Sequence, residues 1–191
     1  HFIKTMHTQD LLAVPDTRPD ATFEPAFRGK VWFRATPGLS DLIFCASPRA
    51  ADVPCHLHRT MTETFTVLEG QLDVFMQGHW HAVTTGQTFT VPPGRVHTIR
   101  NSRDYPCLYR CQVSPGKRFE ELIRMYAALI GAGRLKSIRE PRSLVYAGLM
   151  YDHFRDVQTM TGLTGRLLYG LARLGKLLGY QLPTLASTVP A

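Results

Sequence analysis

Three histidines and one glutamate hold the chemistry that this chain can do. His56 and His58 stand one residue apart in the run CHLHRTMTETFTVLEG (55–70), and Glu63 follows after four more. Residues i and i+2 of a strand share a face, with Cα atoms roughly 6.6 Å apart, so both imidazoles point the same way. The short RTMT crossing returns Glu63 on the next strand, where it shares a face with Phe65 and Val67. A carboxylate among apolar neighbours needs a compensating positive charge or a full set of hydrogen bonds. Two neutral imidazoles supply neither well, whereas a divalent cation supplies the first. Farther along, GQTFTVPPGRVHTIRN (86–101) adds His97 on a strand that begins after a rigid Pro92-Pro93-Gly94 turn. Three imidazoles and a carboxylate make a mixed N/O set for one divalent transition metal, Fe(II) first, then Mn(II), Ni(II), Zn(II) and Co(II). The lack of thiolate ligands argues against a closed structural zinc site. Four protein ligands on a metal that accepts five or six leave positions for substrate, water or dioxygen.

The run His56-x-His58-x4-Glu63-x6-Gly70 resembles the first signature of the cupin superfamily, and Gly86-x5-Pro92-x-Gly94-x2-His97-x3-Asn101 resembles the second. Every defining position of both is filled, and 15 residues separate them. The resemblance covers roughly residues 30 to 115. It implies a small jelly-roll β-barrel in which His56, His58, Glu63 and His97 bind one metal ion, as in quercetinase-like members. One departure is that Pro54-Cys55 precede the first histidine, where the fuller motif has a glycine farther upstream.

The elements that must position these donors are short. Between Lys30 and Val113 the chain reads as β segments at roughly 8 to 12 residue spacing, punctuated by Gly and Pro, which is the pattern of an all-β sandwich or small barrel. KVWFRAT, LIFCAS, ETFTVLE, QLDVFMQ, HWHAV, TFTV, RVHTIRN and CLYRCQV are the strands. Residues 1–29, rich in Pro, Asp and Thr, read as an irregular arm with room for one edge strand, and the barrel is expected over 30–116.

At Ser114 to Gly116 the character changes. Phe119, Leu122, Ile123, Tyr126, Leu129 and Ile130 recur at three- and four-residue steps and predict an amphipathic helix, ended by Gly131 and Gly133. A second helix is expected from Pro141, a good first-turn residue, and a third over LTGRLLYGLARLGKLLGY. Together they form a helical extension over 117–180, followed by a tail over 181–191. In the third helix Leu163, Leu167, Leu171, Leu174 and Leu178 fall on one stripe, offset from Arg166, Arg173 and Lys176. Packing of that stripe on the first two helices or on a partner copy is expected, with the extension preferred as a homodimer interface over a lid on the barrel mouth. A basic amphipathic helix is also of the kind that lies on an anionic membrane surface. Gly165, Gly170 and Gly175 suit close helix contact and weaken the isolated helix.

The 191 residues carry a net charge of +7, unevenly placed. Residues 1–116 hold eleven Lys/Arg against ten Asp/Glu, and residues 117–191 hold eleven against five. The excess has no aromatic-interleaved basic patch or helix-turn-helix cue, so no nucleic-acid partner is expected. No apolar run is long enough to span a membrane, and HFIKTMHTQD lacks the pattern of an export signal. Cys45, Cys55, Cys107 and Cys111 include no C-x-x-C. Cys107 and Cys111 would lie roughly 13 Å apart on one strand, too far for a disulfide. All four are read as reduced, buried small hydrophobes of a cytoplasmic protein, with Cys55 the candidate for a functional thiol because it abuts His56.

Other chemistry-bearing residues have plainer readings. His79-Trp80-His81 lacks a carboxylate at motif spacing and belongs on the surface of a hairpin. Tyr109 shares a face with Cys107 and Cys111, where a phenol near the metal would hydrogen-bond substrate. Trp32, Phe44, Phe65, Phe75 and Phe89 are read as core. The function that follows is a metal-dependent enzyme acting on a small phenolic, enolic or keto substrate, with Glu63 and Tyr109 as catalytic groups. Dioxygenase-type oxidation comes first. Isomerisation, cyclisation or elimination by Lewis-acid and proton-transfer chemistry is the alternative, with a non-catalytic ligand-binding module as a third.

Overall fold

The computed structural model describes residues 19–22, 29–34, 36–50, 53–137 and 139–185. Most of the N-terminal arm lies outside them, as does the end of the C-terminal tail. The one described piece of the arm is β1 (Ala21–Thr22), an edge strand on β2 (Gly29–Arg34). Then follow β3 (Ser40–Ala46), β4 (His56–Leu57), β5 (Thr62–Glu69), β6 (Gln71–Met76), β7 (His79–Thr84), β8 (Thr88–Val91), β9 (His97–Arg100) and β10 (Cys107–Ser114). The helices are α1 (Lys117–Gly131), α2 (Pro141–His153) and α3 (Gly162–Leu177), with strand β11 (Thr159–Met160) between the last two.

Every strand pair is antiparallel, in two sheets of order β1-β2-β3-β10-β5-β8 and β11-β4-β9-β6-β7. The period-2 pattern sets which side chains face in. On β5 it buries Glu63, Phe65 and Val67, and on β10 Cys107, Tyr109, Cys111 and Val113. These meet Leu72 and Val74 of β6 in one core, the two-layer arrangement that the strand spacing predicts as a sandwich or small barrel and the resemblance as a jelly roll. Phe65 is in that core, whereas Trp32 sits outside it in a small cluster with Ile43 and Leu108. Gly70 makes the β5–β6 turn at φ +85°, and a Cβ there would lie 2.8 Å from the Pro106 carbonyl oxygen, so glycine is required on both counts.

The helices do not stand apart from the barrel. Phe119, Leu122, Met125 and Leu129 of α1 join the same core, and β11, coming from the middle of the extension, adds an edge strand beside β4. Against α2 the third helix packs with a small-residue face, Gly165, Leu168, Ala172 and Gly175. A Cβ on Gly148 of α2 would lie 2.4 Å from the Leu168 carbonyl oxygen, which shows how close the two backbones run. The leucine stripe is therefore not the packing face: Leu163, Leu167, Leu174 and Leu178 are exposed and Leu171 only half-buried. Two opposed faces of α3 were available, and the glycine face won because it lets the backbones approach. Among the described residues no helix is long and apolar enough to cross a membrane.

Candidate metal centre

Backbone pairing places the four donors. His56 and His97 are direct cross-strand partners on β4 and β9. Glu63 opens β5, between Val113 of β10 and Val91 of β8. The Pro92-Pro93-Gly94 turn is tied to the first motif, since the Gly94 N–H donates to the His58 carbonyl at 2.7 Å. Asn101, which ends the second motif, is a structural pin. Its Nδ2 donates to the carbonyls of Ala46, Ser47 and Tyr105, and its Oδ1 accepts from the Arg103 N–H.

His56, His58, Glu63 and His97 are all buried, and each offers one ligand atom within 4.8 Å of the others. The rings lie 4.2 to 5.3 Å apart between centroids. Each Nδ1 faces a backbone carbonyl: His56 to Pro54 at 2.8 Å, His58 to Val157 at 2.7 Å and His97 to Arg95 at 3.0 Å. A carbonyl only accepts, so every Nδ1 carries a proton and donates it. The Nε2 atoms are left to face inward. There Glu63 Oε2 stands 3.1 Å from His58 Nε2 and 2.8 Å from His97 Nε2. Neutral imidazole and carboxylate lone pairs would face one another across such gaps, so positive charge belongs between them: a proton on Nε2 without metal, or a cation with it. Burial, and then the neighbouring His97 and His58 rings, push the His56 pKa down to about 3, so this ring stays neutral, its one proton on Nδ1. One divalent cation satisfies all four donors together, and the N₃O set suits it.

Protonation elsewhere in the site has clear causes. Burial would raise the Glu63 pKa, but hydrogen bonds from His58 and His97 outweigh it and hold the carboxyl well below its usual range. Burial likewise opposes charge on His58, yet the Glu63 hydrogen bond and charge win and raise it. The Cys111 thiol, pushed well above its ordinary value by burial and by Glu63, donates to Glu63 Oε1 at 3.2 Å. One carboxylate oxygen is thereby engaged and Oε2 turned toward the histidines. Phe119 packs edge-on against His58, ring centroids 5.7 Å apart.

The barrel also holds a cavity of about 140 Å³, whose wall includes none of the four donors. Ile99, two residues past His97, and Tyr109, two before Cys111, line it, with Phe44, Leu122, Tyr126, Tyr151 and Gln158. Tyr109 stacks on Phe44 at 5.4 Å and is buried, and burial followed by the nearby cysteines holds its phenol well above its usual pKa. The Tyr126 and Tyr151 hydroxyls are hydrogen-bonded to each other.

The remaining candidates divide. His79 and His81 are exposed on β7, away from the four donors. All four cysteines are free, but Cys55 is exposed and Cys45 only half-buried, which corrects the expectation that all four are buried. Cys55 lies just before the short β4, where alternation turns its side chain away from the face of His56. Sequence reasoning missed the Cys111 contact, the Val157 carbonyl, Phe119 and the helical wall of the cavity. Alternation from Tyr109 put Cys111 on the inner face, which was the one available sign.

Likenesses to solved structures are distant. KdgF from Halomonas sp. is 20% identical at a TM-score of 0.43, covering 47% of this chain and 80% of that one. A sugar phosphate isomerase from Silicibacter pomeroyi is 18% identical at 0.42, covering 45% and 59%. The cupin domain of Cnp3 from Schizosaccharomyces pombe is 16% identical at 0.44, covering 59% and 77%. No curated protein matches the sequence. Residues 42–112 match the family model of the cupin domain, and that stretch folds as a jelly roll in which both motifs are filled and their four donors converge.

Proposed function

We propose that the protein is a metal-dependent enzyme, an oxidoreductase of the mononuclear dioxygenase type acting on a small phenolic, enolic or keto compound. The observation that carries the reading is the committed tautomer of three histidines, whose Nε2 atoms converge on Glu63 Oε2 in a buried site. Held by His56, His58, Glu63 and His97, a divalent cation would supply Lewis acidity and, as iron, manganese or nickel, access to dioxygen.

The chain's own groups would bind and orient the substrate. A cavity of about 140 Å³ is close in size to one that holds a single benzene, which suits a single-ring substrate. Phe44, Ile99 and Leu122 give that ring an apolar wall and keep water out. Tyr109 stays protonated and acts as a donor to a substrate oxygen, not as a base. Glu63, ionised and with Oε1 taken by Cys111, offers Oε2 to the proton of a hydroxyl or enol. The free cysteines agree with a reducing, cytoplasmic setting.

A protonated phenol on the cavity wall and the ionised Glu63 in the donor cluster also support isomerisation or elimination, which needs no oxidant. Metal content of protein purified without supplementation, followed by oxygen uptake with a single-ring catechol or a short 1,3-diketone, separates the readings. Iron together with substrate-dependent uptake that H97A abolishes is the expected result. Metal retention without oxygen uptake would transfer the reading to proton-transfer chemistry, and failure to retain any metal would remove both.

A further inference from the structure

Helix α3 turns toward solvent the side chains that a packed helix hides. Leu163 is 82% exposed, Leu167 57%, Leu174 47%, Leu177 85% and Leu178 63%, five of the eight large exposed hydrophobics among the described residues. At 100° per residue these five fall within an arc of about 100°. Gly165, Leu168, Ala172 and Gly175 lie opposite and are buried against α2 and its surroundings. The leucines thus form the face pointing most directly away from the protein body.

Positive charge runs along one side of this arc. Arg166, Arg173 and Lys176 are on α3, and the Arg155 guanidinium sits 3.9 Å over the Tyr169 ring of the same flank. The helix contains no Asp or Glu. Lys176 meets Asp152 at 2.6 Å, while Arg166 and Arg173 have no acidic partner among the described residues. A second copy docked through this helix would set like charges against like, with no carboxylate on either α3 to neutralise them. A surface that is apolar in depth and anionic at its boundary complements both features.

We propose that α3 docks the protein on an anionic phospholipid bilayer, with the leucines at the boundary of acyl chains and headgroups and the cations on lipid phosphates. The helix lies in the plane of the surface and holds the barrel above it. This inference is independent of the metal-site reading.

Co-sedimentation of the full chain with vesicles of phosphatidylcholine alone, or of phosphatidylcholine with phosphatidylglycerol, tests it. Binding to the second and not the first is expected, weakening as salt rises. R166Q/R173Q should lower the partition coefficient roughly thirtyfold, at about one kcal/mol for each cation near an anionic surface. L167S/L174S should abolish binding, with unchanged circular dichroism and metal content showing that the fold is intact. Absence of binding to the anionic vesicles, or unchanged binding by the leucine variant, would overturn the proposal. So would a dimer in sedimentation equilibrium that L167S/L174S dissolves, since a second copy would then cover the face.

Discussion

His58 donates through Nδ1 to the carbonyl oxygen of Val157 at 2.7 Å, across 99 residues of sequence. Val157 lies between α2 and β11, so the segment beyond the barrel fixes the tautomer of a candidate metal ligand inside it. The same stretch continues into β11, where Met160 pairs with His56 and the Thr161 N–H donates to the Cys55 carbonyl. The helical extension is part of how the site is built.

Metal binding and the ordering of residues 157–161 should therefore be coupled. In hydrogen exchange, saturating Zn(II) is expected to slow the amides of residues 159–161 together with those of 55–58, because the two strands share a ladder. Slowing confined to the first motif would show that the extension does not sense the site.

Removing a donor should end metal retention. E63Q or H97A is expected to weaken binding by well over roughly a hundredfold, more than changes to groups that only orient a ligand. Ligand present at about a thousand times its dissociation constant stabilises by about 4 kcal/mol, or roughly 10 °C for a chain of this size. That gain in melting temperature should disappear in both variants.

Cys111 acts on Glu63 without reaching the cation position, since its thiol holds Oε1. C111A should lower metal affinity by roughly ten- to a hundredfold, and C111S, which keeps a donor, should recover most of the loss. Competition against a chelating dye measures both.

Asp73 supplies a pH test remote from the donors. Burial would raise its pKa, but hydrogen bonds from Ser102 and Gln71 and the charges of Arg103 and Arg100 outweigh it, and the carboxyl is held below its usual value. A depressed carboxylate stabilises the fold above its unfolded pKa of about 3.9, and that contribution is lost as pH falls through the lower folded value. D73N should cost about 1 kcal/mol at pH 7. In urea melts the gap between wild type and variant should close as pH drops below about 4.

Gly148 is the control for the extension. With a Cβ placed 2.4 Å from the Leu168 carbonyl oxygen, G148A must push α3 from α2 at about 1 to 3 kcal/mol. Metal affinity at temperatures where the variant is folded should change little, because none of the four donors touches this contact.

Local pattern was enough for much of this protein. Alternation put His56 with His58 and Glu63 with Phe65 and Val67, turn residues set the strand boundaries, and the three- and four-residue steps after Gly116 gave α1 its buried face, Phe119, Leu122 and Leu129. These properties depend on residues close in sequence, so the donors and a sandwich or small barrel were readable directly, while the jelly roll came with the resemblance to cupins. The Val157 carbonyl was not, since a backbone oxygen has no side-chain signature and its position depends on β11 joining β4. Nor was the orientation of α3: beside the leucine stripe the sequence offered glycines at five-residue steps, of which Gly165 and Gly175 are buried and Gly170 exposed, and the approach of Gly148 to Leu168 marks the buried face. Cys55 reached the surface for a related reason, because a strand as short as His56–Leu57 buries what faces the barrel and leaves its flank to solvent.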